Sequence, residues 1–161
     1  TTGAVTTRMS SGMPDLTGLS VSDVATATSI TLAADTISVI NYTGAAAATC
    51  TLPAATAGTV VVYAQAVDTT GGTNTLVFDA AGSDVWATGS VIESRASSEV
   101  TFDTSAAGET KLTFTPANAA TNLLTIGGQI AFICYEKGTW HIASSLARET
   151  TQTTGAFAFA S

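Results

Sequence analysis

One histidine, His141, stands within Thr139-Trp140-His141-Ile142-Ala143, and the chain has no other imidazole. A metal centre built on several imidazoles is therefore excluded, and a Ser/His/Asp triad would have to run through this residue. No Gly-x-Ser-x-Gly segment supplies a strained nucleophile. Among the carboxylates, Asp79 and Asp84 flank Ala80-Ala81-Gly82-Ser83, and Glu93, Glu99 and Asp103 follow. Two acids facing each other across a sugar would suit glycoside hydrolysis. An oxygen-rich loop would suit Ca²⁺, but this spacing matches no calcium loop. Turn aspartates commonly bond their own backbone, so a structural role is expected for them. The reading is of no enzyme, no catalytic residue, no cofactor and no metal.

The remaining reactive groups point the same way. Cys50 and Cys134 lie inside apolar runs, Thr49-Cys50-Thr51-Leu52 and Ile130-Ala131-Phe132-Ile133-Cys134. Free buried Cys behaves as a small hydrophobe, which is the expected state, although a disulfide stays open. Gly71-Gly72 precedes no helix and so makes no phosphate cradle. Asn41-Tyr42-Thr43 is a glycosylation acceptor only in a secreted eukaryotic protein. Tyr63, Trp86, Tyr135 and Trp140 each sit in or beside an apolar strand. Core or subunit packing is expected of them, with exposed stacking on a sugar as the alternative.

Composition sets the background for these groups. The chain has 161 residues, and charged residues make up 11% of it, against roughly 25% in an average soluble protein. Thr, Ser, Ala and Gly fill the gap, and plentiful Val, Ile and Thr favour a pleated, half-buried surface. The formal net charge is −7, and the five basic residues, Arg8, Arg95, Lys111, Lys137 and Arg148, form no stripe. Binding to nucleic acid is not expected, because no basic run can neutralise phosphates. An anionic membrane surface is disfavoured by the same repulsion, and no window approaches the roughly 20 apolar residues of a spanning helix. The N-terminus lacks the basic start and apolar core of a signal peptide, and Thr1 reads as the residue left by Met trimming. Synthesis in a cytoplasm is the expectation.

Strand signals dominate from residue 27 onward. Ser29–Ala33 and Thr36–Asn41 alternate apolar and polar residues around a turn at Ala34-Asp35. Pro53 ends a strand, because it cannot donate to a ladder. Val60–Val67 is the most continuously apolar run, and 68–74 reads as a hairpin loop back into Leu76–Asp79. Residues 80–84 form a further turn, and Lys137-Gly138 joins the last two long strands as a tight hairpin. No stretch has sustained helical period, and no solenoid-length repeat is visible. The pattern predicts an all-β fold of about ten short strands, an antiparallel β-sandwich, jelly roll or small barrel.

The expected organisation is an N-terminal arm (1–26), a body (27–146) and a C-terminal tail (147–161). An extended arm of that length reaches roughly 80 Å, against a radius of gyration of about 14 Å for the body. Phe157 and Phe159 alternate with small residues and predict a docking strand that adds to a neighbour.

Three segments carry a family resemblance: Cys50–Val67, Gly71–Ile92 with its "TLVFDAAGSDVWATG" core, and Leu123–Ile142 ending in Gly-Thr-Trp-His-Ile. In this order they resemble small β-rich virion structural proteins of tailed bacteriophages, over Thr49 to about Ile142. The resemblance implies a head decoration (cement) protein or a module of a tail fibre or spike, commonly trimeric. Expected partners are further copies of the chain, as a homotrimer, and the major capsid protein. The expected location is the capsid exterior of a virion, with synthesis in the host cytoplasm. Arg8, Met9, Met13, Leu16, Phe157 and Phe159 are the candidate capsid or subunit contacts. In the alternative, a receptor-binding module, Tyr63, Trp86 and Trp140 would contact a host glycan.

Overall fold

The computed structural model describes residues 20–24, 28–69, 74–95, 100–115, 125–148 and 157–161. All thirteen elements among the described residues are strands. The first six are β1 (Ser20–Val24), β2 (Ser29–Thr31), β3 (Thr36–Ile40), β4 (Ala48–Thr51), β5 (Val60–Gln65) and β6 (Leu76–Asp79). They are followed by β7 (Val85–Trp86), β8 (Val91–Arg95), β9 (Val100–Thr104) and β10 (Lys111–Phe114). The last three are β11 (Gln129–Glu136), β12 (Thr139–Arg148) and β13 (Phe157–Ala160).

Two mixed sheets result, and neither closes into a barrel. One has eight strands in the order β1-β3-β5-β11-β12-β8-β9, with β7 paired to β12 off this path. The other has five, in the order β13-β10-β6-β4-β2. The fold is all-β as expected, but the pairing is mixed: β5–β11, β11–β12, β6–β10, β10–β13 and β8–β9 are antiparallel, whereas β7 and β8 join β12 in parallel. From β1 to β6 the chain changes sheet at every connection, so it winds as a flattened coil. Odd strands pair in parallel, Ser20 facing Thr36 and Thr36 facing Val61. Even strands do the same, Ser29 facing Thr49 and Thr49 facing Val77. The turn at Ala34-Asp35 therefore crosses between sheets, and β5 and β6, expected to form a hairpin, lie in different sheets.

Local chemistry explains the crossings. Asp35 has φ 52°, a left-handed conformation that Asp tolerates better than most residues. Its amide donates to Val60 O at 2.7 Å, and its Oδ1 accepts from Val60 N at 3.1 Å. The corner between β2 and β3 is thus fastened to the next turn of the coil. At the β5 end, buried Gln65 donates from Nε2 to Tyr42 O at 2.8 Å and Val67 O at 2.6 Å. The Tyr63 hydroxyl donates to Gln65 Oε1, and the Tyr42 hydroxyl donates to Asn74 O at 2.7 Å. These bonds satisfy polar groups that burial would otherwise penalise.

Antiparallel pairs close the body. β11 joins β5 on one side and β12 on the other, with the tight turn at Lys137-Gly138 as expected and Gly138 at φ 86°. β10 joins β6 and β13 in the smaller sheet. The two sheets share one core, in which Phe78 of β6 meets Tyr63 of β5 and Phe132 of β11 at 5.0 and 5.3 Å between ring centroids. Alternating burial along β3, β4, β6 and β13 follows the period-2 pattern of their sequences.

Both terminal expectations change. Residues 20–24, placed in the arm, form the edge strand β1, and 157–160, placed in the tail, form β13. Phe157 and Phe159 are not an exposed apolar edge awaiting a neighbour: they are 4% and 8% exposed within their own chain. Phe157 packs on Phe114 at 5.2 Å and Phe159 on Trp86 at 5.8 Å. Phe159 N also donates to Asp103 Oδ2 at 2.8 Å, which ties β13 to β9 of the other sheet. Arg8, Met9, Met13 and Leu16 lie outside the described residues.

Candidate functional site

Of the acids that sequence spacing raised, Asp84 and Asp103 serve as joints. Asp84 precedes β7, and its Oδ2 accepts from Ala55 N at 2.7 Å. This bond binds the Pro53–Gly58 corner to the β6–β7 turn, where Asp84 N also donates to Ala81 O at 3.0 Å. The same corner is stitched to the β11–β12 hairpin: Gly58 N donates to Cys134 O at 2.8 Å and Gly138 N to Ala55 O at 3.1 Å. Gly58 has φ 91°, and a Cβ there would meet nothing within 4 Å. Backbone conformation, not space, is what calls for glycine. Asp103 serves β13 as described, and Glu99 lies outside the described residues. No group of three or more His, Cys, Asp or Glu able to hold a metal occurs among the described residues.

The cysteines are both free and buried, as expected of small hydrophobes. Burial pushes the Cys50 thiol up to about 12 and also raises Cys134. A thiol held protonated in this way is a poor nucleophile. Tyr42 rises to about 12, through burial first and the nearby Cys50 second.

Three of the four aromatic candidates belong to the core. Tyr63, Trp86 and Trp140 are 2%, 1% and 0% exposed, so none of them offers a ring face to a glycan. Trp86 and Trp140 face each other in parallel register between β7 and β12, and both indole Nε1 atoms lack a hydrogen-bond partner. Apolar neighbours signal burial for Tyr63 and Trp86, whereas Trp140 stands between Thr139 and His141 and turns inward by strand alternation. Tyr135 is the exception at 62% exposed, its ring 4.9 Å from that of His141 and inclined at 66°.

His141 opens onto the described surface's candidate site. A cleft of about 420 Å³ lies against the β7–β12 pair. Thr139 and His141 are two residues apart on β12 and so share its outward face, while Trp140 between them points inward. Val85 pairs with Thr139, Glu136 ends β11 across the hairpin, and Thr88 and the Ala107-Gly108 turn complete the walls. No Lys or Arg lines the cleft. Its polar groups are one carboxylate, one imidazole and two hydroxyls, a set suited to holding a neutral polar molecule. The sequence named His141 and Tyr135 singly; only the hairpin brings them together beside Glu136.

Elsewhere the exposed large apolar groups are Val91, Phe102 and Ile126. Val91 and Phe102 lie on the neighbouring strands β8 and β9, where Glu93 pairs with Phe102 and Val91 with Thr104. No helix among the described residues is long and apolar enough to cross a membrane. No family model, curated protein or solved structure matches the chain.

Proposed function

We propose that the chain is a virion structural protein of the decoration (cement) type. In this reading it trimerises on the exterior of a phage head and bridges adjacent capsomers. The two mixed sheets then act as a β-sandwich body whose job is mechanical. The observation that carries the reading is how the resembling segments are used. The Pro53–Gly58 corner, Asp84 and the Lys137-Gly138 hairpin are bonded into one joint, and Trp86 and Trp140 fill the core beneath it. Such cross-linking suits a body that transmits load between neighbours.

The low charge of the chain predicts attachment through apolar and backbone contacts, with little dependence on salt. Val91 and Phe102, 44% and 64% exposed, supply apolar surface for a subunit or shell contact. Candidate arm residues Arg8, Met9, Met13 and Leu16 precede β1, so removing 1–19 leaves every described strand in place. The test adds full-length and 1–19-deleted protein to phage shells lacking this protein and counts bound copies by electron microscopy. Trimers of the full chain bound to the shell, and folded trimers of the deletion left unbound, are the expected pair of results. A full-length protein that stays monomeric and leaves shells bare would overturn the reading.

A further inference from the structure

We propose that the cleft beside the β11–β12 hairpin is a binding site for a neutral saccharide. Its volume of about 420 Å³ falls within the roughly 300–1,000 Å³ of small-molecule sites. Its chemistry selects the ligand class. Glu136 accepts hydrogen bonds from the adjacent hydroxyls of a sugar, and the Thr88 and Thr139 hydroxyls can both donate and accept. His141 adds a ring nitrogen on the same outward face as Thr139. With a carboxylate in the wall and no Lys or Arg among the lining residues, phosphate, sulfate and acidic sugars are repelled.

Tyr135 stands behind His141 as a positioning residue and is not part of the wall. Its edge-to-face contact with His141, 4.9 Å between ring centroids, steadies the imidazole that lines the cleft. Val85 and the edge of Trp86 provide the apolar wall. This site is separate from the Val91–Phe102 surface, and its occupancy does not depend on the protein's attachment to a shell.

Because His141 is the chain's one histidine, its ring resonances report on the cleft without ambiguity. The intact protein is titrated with glucose, galactose, mannose and N-acetylglucosamine, and separately with sialic acid, while those resonances are followed by NMR. At least one neutral sugar is expected to shift them saturably, with Kd on the order of 1 mM. Thr88→Ala and Glu136→Gln alter exposed side chains that line the cleft, and each is expected to weaken that binding fivefold or more. Overturning results are no saturable shift with any neutral sugar, sialic acid binding at least as tightly, or affinity unchanged in both variants. Shell binding by the same samples, measured in parallel, separates failure of this site from failure of the cement reading.

Discussion

Replacing Asp84 with Ala tests whether the central joint holds the fold together. The carboxylate accepts a 2.7 Å hydrogen bond from the amide of Ala55, a residue 4% exposed, so the variant strands a buried donor. A hydrogen bond to a charged group is worth about 1.5–3 kcal/mol, and an unsatisfied buried partner costs a similar amount. Asp84→Ala should therefore lower unfolding stability by about 1.5–3 kcal/mol. For a chain of this length each kcal/mol moves Tm by about 2–4 °C, which gives a fall of about 3–12 °C. Asp84→Asn keeps an acceptor oxygen in the same place and loses only the charge, so it should cost about 1 kcal/mol or less. Urea and thermal melts followed by circular dichroism measure both, and hydrogen exchange at the Ala55 amide locates the effect. If Asp84→Ala melts within about 0.5 kcal/mol of the parent, or the Ala55 amide keeps its protection, the joint does not carry the load assigned to it.

Three further outcomes follow from burial. Below pH ~9 the Cys50 thiol is protonated whether folded or unfolded; above it the unfolded thiol ionises while the folded one resists until about 12. Stability should fall through that window by up to about 1.4 kcal/mol per pH unit from this group, and urea melts of Cys50→Ala should show a shallower fall between pH 9 and 10. Trp86→Phe removes an indole N–H that has no partner, so its cost should stay well below the roughly 3–5 kcal/mol of a Trp→Ala truncation, as read from denaturant midpoints of both variants. Phe159→Ala removes a ring packed on Trp86, and should destabilise the isolated chain by about 3–5 kcal/mol; an unaffected melt would place that ring outside its own core.

The sequence by itself determined that this chain is built of strands, and where most of them lie. Alternation in Thr36–Ile40 and Phe157–Ala160 fixes which side chains share a face, because the pleat has a period of two whatever the strand pairs with. It also marked the Lys137-Gly138 turn, where a short connection with glycine leaves an antiparallel hairpin as the natural outcome. Apolar neighbours mark Cys134 and Trp86 as interior groups, and alternation with Thr49/Thr51 and Thr139/His141 does the same for Cys50 and Trp140. Strand partners were a different matter. A Gly-Gly loop such as 68–74 suits a hairpin, yet the same span is long enough to cross to the opposite sheet. Burying Tyr63 against Phe78 across the core is what puts β5 and β6 in different sheets. Tertiary structure likewise decided that Phe157 and Phe159 are covered by the chain itself: Phe114 meets Phe157 through the β10–β13 pairing, and Trp86 of β7 meets Phe159 once the two sheets come together. Asp84 and Ala55 are a pair of the same kind, whereas Tyr135 and His141 meet across a single hairpin. Local sequence specifies the conformation of each segment, whereas contacts across the core choose its neighbours, and in this chain the neighbours define both the structural joint and the cleft.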